Sequence, residues 1–441
     1  MIETIRNAFK IKEVRKKIFF TILFVILFRL GCYISIPGFK GIQIDNTENI
    51  MSVLNAITGN ALKQGTLFAI GISPYINASI IIQLLTVAIP RLERWSKEGE
   101  EGRKKINGIT RWVTLGLALL QSIGVVLAMG GNSSFNTAAF GALAQDFLTS
   151  NIWIMYVYTV IFLVAGSMLC MWIGERITEF GISNGISILI FIGIISTAGR
   201  SLLNSMIGGN WLVVGIFLAT LVVIFAFIVW VDGAERKIKV QYAKQVKGNK
   251  MYGGQSTFIP IKVNASGVMP LSFAFAIISF PTMLIQTFWS DYAVTQGTFA
   301  YFWVNYLGNG TVVYQVFLAV LIFAFAYFYS KIQFNPIDIS RNIQQNGGFI
   351  PGIRPGRETS EYLDKVISRI TLWGAVFLAI IALVPSILFM IPSWIGITGL
   401  DSQLINSFST TGMLITVSVT LEFHKALENQ IMMRHYKGFL K

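Results

Sequence analysis

Residues 66–105 read TLFAIGISPYINASIIIQLLTVAIPRLERWSKEGEEGRKK, an apolar run that stops at Pro90 and gives way to Arg91, Arg94, Lys97, Arg103, Lys104 and Lys105. About 20 apolar helical residues cross the hydrocarbon of a bilayer, so 66–90 is long enough to span it. Comparable stretches at roughly 18–36, 110–130, 152–173, 182–199, 211–231, 263–289, 310–330, 371–391 and 402–421 bring the predicted transmembrane helices to ten. All of the 35 lysines and arginines except Arg29, Lys40, Lys63 and Arg200 fall in the termini or in alternate connections: 1–17, 91–111, 174–181, 232–262, 331–370 and 422–441. Basic residues mark cytoplasmic loops, so the expected product is an all-α, multi-pass integral membrane protein with both termini in the cytoplasm. A net charge of +14 would suggest nucleic acid in a soluble protein; with 54% hydrophobic residues it points to retention by anionic membrane lipids. The basic run before 18–36 imitates a signal peptide, but the stretch is too long and lacks a small-x-small cleavage site, so it reads as a retained first span.

Chemistry is sparse. Cys32 and Cys170 lie inside predicted spans without CxxC spacing and read as packing residues. Leu30-Gly31-Cys32 hints at a lipoprotein box, which Arg29 argues against. His424 and His435 sit in the basic tail, away from carboxylate or cysteine clusters. With no Ser/His/Asp set, phosphate-binding glycine loop or metal spacing, no catalytic residue, metal or cofactor is expected. Ion-coupled transporters carry ionisable residues near the bilayer midplane, and predicted spans two to ten have none there. Arg29 is the exception, read as reaching a partner or the outer interface.

Within 66–90, Pro74 is expected to free a carbonyl and disturb the helix. Ile72, Ile76 and Ile80, like Ile186 and Ile190, recur on one helical face, a periodicity that helix packing or lipid contact also explains. The outer segment 37–65 is too long for a tight turn; its part 54–65 is either a short helix folded back into a cavity or an ordinary exposed loop. Two basic loops are longer than connection requires. In 235–244 charge alternates with apolar residues as in a strand or hairpin, and 351–357, PGIRPGR, is a turn-rich tip with two guanidiniums. Guanidinium suits phosphate and carboxylate alike, so RNA, an acidic protein groove, or topology determination alone would each account for these loops. The connection 201–210 divides the chain into halves of five spans, 1–200 and 211–441, that enter the membrane in opposite directions, although no sequence repeat is evident.

The stretches 69–86, 97–105, 181–188, 242–244, 255–257, 262–270, 334–336 and 351–356 together resemble, in order and over nearly the whole length, the SecY family of protein-conducting channel subunits. The resemblance implies an hourglass of two pseudo-symmetric inverted halves, clasped by SecE and accompanied by SecG. It implies a passive channel of the bacterial cytoplasmic membrane that secretes unfolded preproteins and releases membrane proteins sideways. Its pore ring would be Ile72, Ile76, Ile186, Ile190 and Ile415, with Ser272 where the family commonly has isoleucine; Leu271 or Phe273 then closes the ring, or the waist is wider. The plug would comprise Asn55, Ile57, Thr58, Gly59, Ala61 and Leu62. Gln83, Gln121 and Asn264 match amides of the lateral gate that signal sequences open, between spans two and three and spans seven and eight. Arg236, Lys237, Arg354 and Arg357 would meet the SecA motor or the ribosome, and ATP would be hydrolysed by the partner.

Overall fold

The computed structural model describes residues 9–39, 61, 64–128, 151–207, 211–242, 245–247, 250–252, 256–263, 298–307 and 311–395, with individual residues between 270 and 285 and between 416 and 431. The described residues are overwhelmingly helical, and the chain divides into two compact units. One comprises Met1–Val214, Ala276–Thr311 and Ile397–Lys441; the other comprises Gly215–Phe275 and Val312–Gly396.

In the first unit, α1 (Lys12–Gly31) takes up the first apolar stretch, expected over 18–36, as far as Gly31, and Ser35 beyond it bridges to Thr66. The second stretch is helical only from Ser73, as α2 (Ser73–Ala88). Pro74 therefore sits in the first turn, where its missing N–H has no helical acceptor to lose, and the mid-helix disturbance expected from the sequence does not arise. Residues 64–72 are irregular, with Gly71 at a φ of 60°. They are held by backbone bonds: Ile36 N to Gly65 O at 3.0 Å and Leu67 N to Ile34 O at 2.8 Å. Pro90 forces Ile89 into an extended conformation (φ −106°, ψ 113°), so α3 (Pro90–Lys97) leaves α2 at 102°. Lys97–Glu93 at 2.7 Å supports α3, and Lys105–Glu98 at 3.2 Å ties it to α4 (Glu100–Ala128).

In α4, Thr110, Thr114 and Ser122 donate to carbonyls four residues back, which satisfies their hydroxyls inside an apolar helix. α4 packs on α2 and on α5 (Ile152–Phe180), and Arg111 grips Glu175 of α5 through Nε at 3.0 Å and Nη2 at 2.8 Å. α6 (Gly185–Ile207) runs on through most of the connection expected at 201–210. α7 (Trp211–Asp232) begins in this unit and continues into the second.

In the second unit, β1 (Glu235–Tyr242) pairs antiparallel with β4 (Ser256–Lys262), while β2 (Gln245–Lys247) and β3 (Lys250–Tyr252) form a small hairpin between them. The alternation in 235–242 is thus a strand, with Ile238 and Val240 buried. In the first unit, α8 (Phe299–Tyr306) precedes α9 (Val312–Gln333) of the second, which is followed by α10 (Pro336–Gln345), capped by Asn335. β5 (Gly348–Phe349) joins the sheet beside β1, and α11 (Arg357–Ile395) is one helix that begins well before the apolar stretch at 371. Its first half buries Leu363, Val366, Ile367 and Ile370 against Ile238, Val240 and Ile261 of the sheet. α9 and α11 are joined by the Ser330 and Thr371 hydroxyls at 2.7 Å.

Among the described residues, five helices are long and apolar enough to cross a membrane, or six if the bent pair α2–α3 is one span. The described residues from 270 to 285 are helical inside the predicted span 263–289, and those from 416 to 431 are helical from within the predicted span 402–421 into the tail beyond it.

The irregular segment approaches α5 at Gly166, where a Cβ would overlap the Leu67 carbonyl oxygen. Gly166→Val should therefore cost about 1–3 kcal/mol, as overpacking does. Thermal unfolding in detergent should show the loss, with Gly116→Val, at a position with open space around it, as the neutral reference.

Candidate pore constriction and docking loops

Ile72 caps the start of α2, where its carbonyl accepts from the N–H groups of Tyr75 and Ile76, each at 3.1 Å. Ile76 lies one turn further on. Asn184 caps α6, its Oδ1 accepting from Ile186 N at 3.0 Å, and Thr178 Oγ1 accepts from Gly185 N at 2.8 Å. These bonds fix the first turn of α6, which carries Ile186, and Ile190 follows one turn later.

The structure brings these four isoleucines into one apolar cluster with Phe68, Ile173, Ile177 and Leu189. Gly174 of α5 leaves the room they fill: a Cβ there would stand 3.1 Å from Ile186 Cγ1 and 3.4 Å from Ile72 Cδ1. Val419 and Phe423 join the cluster from the last helical stretch, one and two turns beyond Ile415 in sequence. Ile80, by contrast, is buried without belonging to it. Ser272 and Ile415 lie outside the described residues.

Of the plug candidates, Ala61 is described; it is fully buried in the same cluster, and its carbonyl accepts from both the N–H and the hydroxyl of Thr66 at 3.2 Å. Asn55, Ile57, Thr58, Gly59 and Leu62 lie outside the described residues. Gln83 and Gln121 stand on the packed helices α2 and α4; Gln121 is buried, and Gln83 Oε1 is buried without a hydrogen-bond partner among the described residues. Asn264 lies outside them. Arg29 reaches the Ser196 hydroxyl of α6 through Nη2 and lies 5.7 Å from the Tyr33 ring, so the lone charge of the first span does find a partner.

Arg236 and Lys237 are exposed on β1, with Lys237 paired to Glu235 at 3.3 Å. Arg354 and Arg357 are exposed on a tip made rigid by bonds from Ser340 to the Gly356 carbonyl, 2.6 Å, and from Thr359 to the Arg354 carbonyl, 2.8 Å. The tip's Ile350 and Ile353 share one apolar cluster with Ile238 and Val240 of the hairpin, so both basic elements are built on the same core.

Sequence reasoning missed Gly174, Val419 and Asn184. Asn184 alone left a readable signal, a capping residue immediately before an apolar run.

The sequence model of the SecY family matches residues 66–424. A protein translocase subunit SecY of Streptomyces scabiei is 39% identical over the full length of both chains. That of Thermotoga maritima is 39% identical over 100% of this chain and 98% of its own. Among solved structures, one described as the structure of a protein conducting channel matches with a TM-score of 0.62 at 18% identity, over 94% of this chain and 92% of that one. Sec61 in a canine ribosome–channel complex matches with a TM-score of 0.60 at 18% identity, over the same shares. These two likenesses establish the channel fold.

Asn184→Ala should cost about 1 kcal/mol through loss of the cap. Hydrogen exchange should rise in the first turn of α6, around Ile186, and stay unchanged in α4.

Proposed function

The chain belongs to the SecY family, the pore-forming subunits of protein translocases, and we propose that it works as a passive gated pore whose waist is its isoleucine cluster. The observation that carries this reading is the convergence of Ile72, Ile76, Ile186 and Ile190 with the buried Ala61. An apolar constriction sheds water and excludes ions when empty, yet forms no strong bond with a passing side chain. A charged ring would hold some segments of an unfolded preprotein and reject others. Ile415 and the residue at or beside Ser272 complete the ring, between the halves 1–200 and 211–441 hinged at 201–210. The segment from Asn55 to Leu62, with Ile57, Thr58, Gly59 and Ala61, is the plug.

Gln83, Gln121 and Asn264 form the polar part of the lateral gate, through which apolar segments leave for the lipid. A buried amide oxygen with no donor among the described residues, as at Gln83, suits such a seam. Arg236, Lys237, Arg354 and Arg357 dock the SecA motor and the ribosome, and SecE and SecG complete the complex. Canine Sec61 and the yeast Ssh1 complex, both of similar fold, are described on ribosomes, which supports that partner. The relatives are bacterial, and the basic connections favour a bacterial cytoplasmic membrane with both termini inside.

In planar bilayers, Ile76→Gly and Ile190→Gly should each raise the resting ion conductance several-fold over the parent complex; conductance equal to the parent's in both would contradict the waist. An interhelical amide contact in lipid contributes about 0.6–2 kcal/mol. Gln83→Leu should therefore shift the closed population of the gate by roughly 3- to 30-fold, read as altered export of substrates with weak signal sequences; unchanged export would remove Gln83 from the gate.

A further inference from the structure

α8 is a two-turn helix, FAYFWVNY, that carries no charge. Phe299, Phe302 and Tyr306 are 68%, 51% and 51% exposed, and their spacing of three and four residues sets them on one face. The face is preassembled: Phe302 stacks on Tyr306 with ring centroids 5.1 Å apart, and Phe299 lies 5.7 Å from Trp303. Leu307, which ends the helix, is buried and anchors it to the protein. The Thr311 hydroxyl donates to the Tyr306 carbonyl at 2.7 Å, and α9 starts at the next residue. The end of α8 is thereby tied to the residue that precedes α9 in the chain, and the exposed side chains of α9 include Val312, Val316 and Val320.

We propose that α8 is an interfacial helix whose aromatic face lies at the boundary between lipid headgroups and acyl chains. Three large aromatic rings without a charge, next to the start of a lipid-facing span, fit that layer, where an apolar ring body and a polar rim are both accommodated. A helix lying on water would expose this face at a hydrophobic cost, and one inside the hydrocarbon would leave its terminal backbone groups unsatisfied. Seated at the boundary, α8 brings the chain to that depth just before α9 begins. The inference rests on α9 crossing the membrane and not on which side of the membrane α8 occupies.

The test uses the full chain with its complex in lipid nanodiscs. A genetically encoded environment-sensitive fluorophore replaces Phe299 in one variant and Phe302 in a second, with position 316 as the lipid reference and position 237 as the water reference. Blue-shifted emission, lost with nitroxide on the upper acyl chain and little affected by aqueous iodide, is expected at both 299 and 302. Emission like that of position 237, quenched by iodide and not by lipid nitroxide, would overturn the proposal. If position 316 itself escapes lipid quenching, it is the spanning assignment of α9 that fails, so the two failures are distinguishable.

Discussion

Hydrocarbon cannot hydrogen-bond a peptide group, so backbone that leaves the helical pattern at membrane depth must be satisfied by the protein itself. The segment 64–72, which runs into the second predicted span, leaves the helical pattern, and the arrangement around the isoleucine cluster depends on it. Thr66, Phe68, Ala69, Ile70 and Ile72 are buried, and two strand-like bonds that flank the Ser35–Thr66 bridge, through the Gly65 carbonyl and the Leu67 N–H, hold the segment to 34–36. Gly166 gives the Leu67 carbonyl room against α5, and Phe68 stacks on Phe28 of α1 at 5.8 Å. With the chain held there, α2 can begin only at Ser73. That start places Ile72 at its cap and Ile76 one turn in, facing the residues that Asn184 and Gly185 present on α6.

Polar and apolar tasks are separated along the chain. Among the described residues, the side chains packed around Ile72 and Ile190 are aliphatic and aromatic, which suits a path for many different polypeptides. Charge lies instead on α3 and the start of α4, and on the sheet and the 351–357 tip; the last two are packed on the core of Ile238, Val240, Leu363 and Ile367. Because that core continues into α11, the long helix links the basic surface rigidly to a predicted span. Arg111 and Glu175 are an ion pair between spans, bidentate and partly exposed, and they join α4 to α5 without placing an isolated charge in the apolar interior.

Much of this was legible in the sequence, because hydrophobic length and basic-loop asymmetry are dictated by the bilayer. The helices starting at Ile152, Trp211 and Val312 begin where their apolar runs begin, or within two residues. The strand at 235–242 followed from its two-residue alternation. Pro74 misled because a proline reads alike as a helix breaker and as a first-turn residue. Only the tertiary bonds of 64–72, to residues some thirty positions earlier, decide where α2 starts. The early start of α11 was readable and overlooked, since Leu363, Val366, Ile367 and Ile370 carry a helical period through a charged stretch. Arg29 stood out as a lone charge, but its partner Ser196 lies far along the chain and no local pattern announces it. Gly174 was invisible for the same reason: its role is a volume shared by Ile72 and Ile186 from two other helices.

The central claim is that a polypeptide passes through the cluster formed by Ile72, Ile76, Ile186 and Ile190. The direct measurement places a photocrosslinking side chain at position 76 or 190, stalls a signal-bearing secretory chain halfway across the membrane, and looks for covalent adducts. Adducts from both positions, lost when the signal sequence is deleted, are the predicted result. Absence of adducts from both, with stalling verified, would contradict the account and return the four isoleucines to simple helix packing.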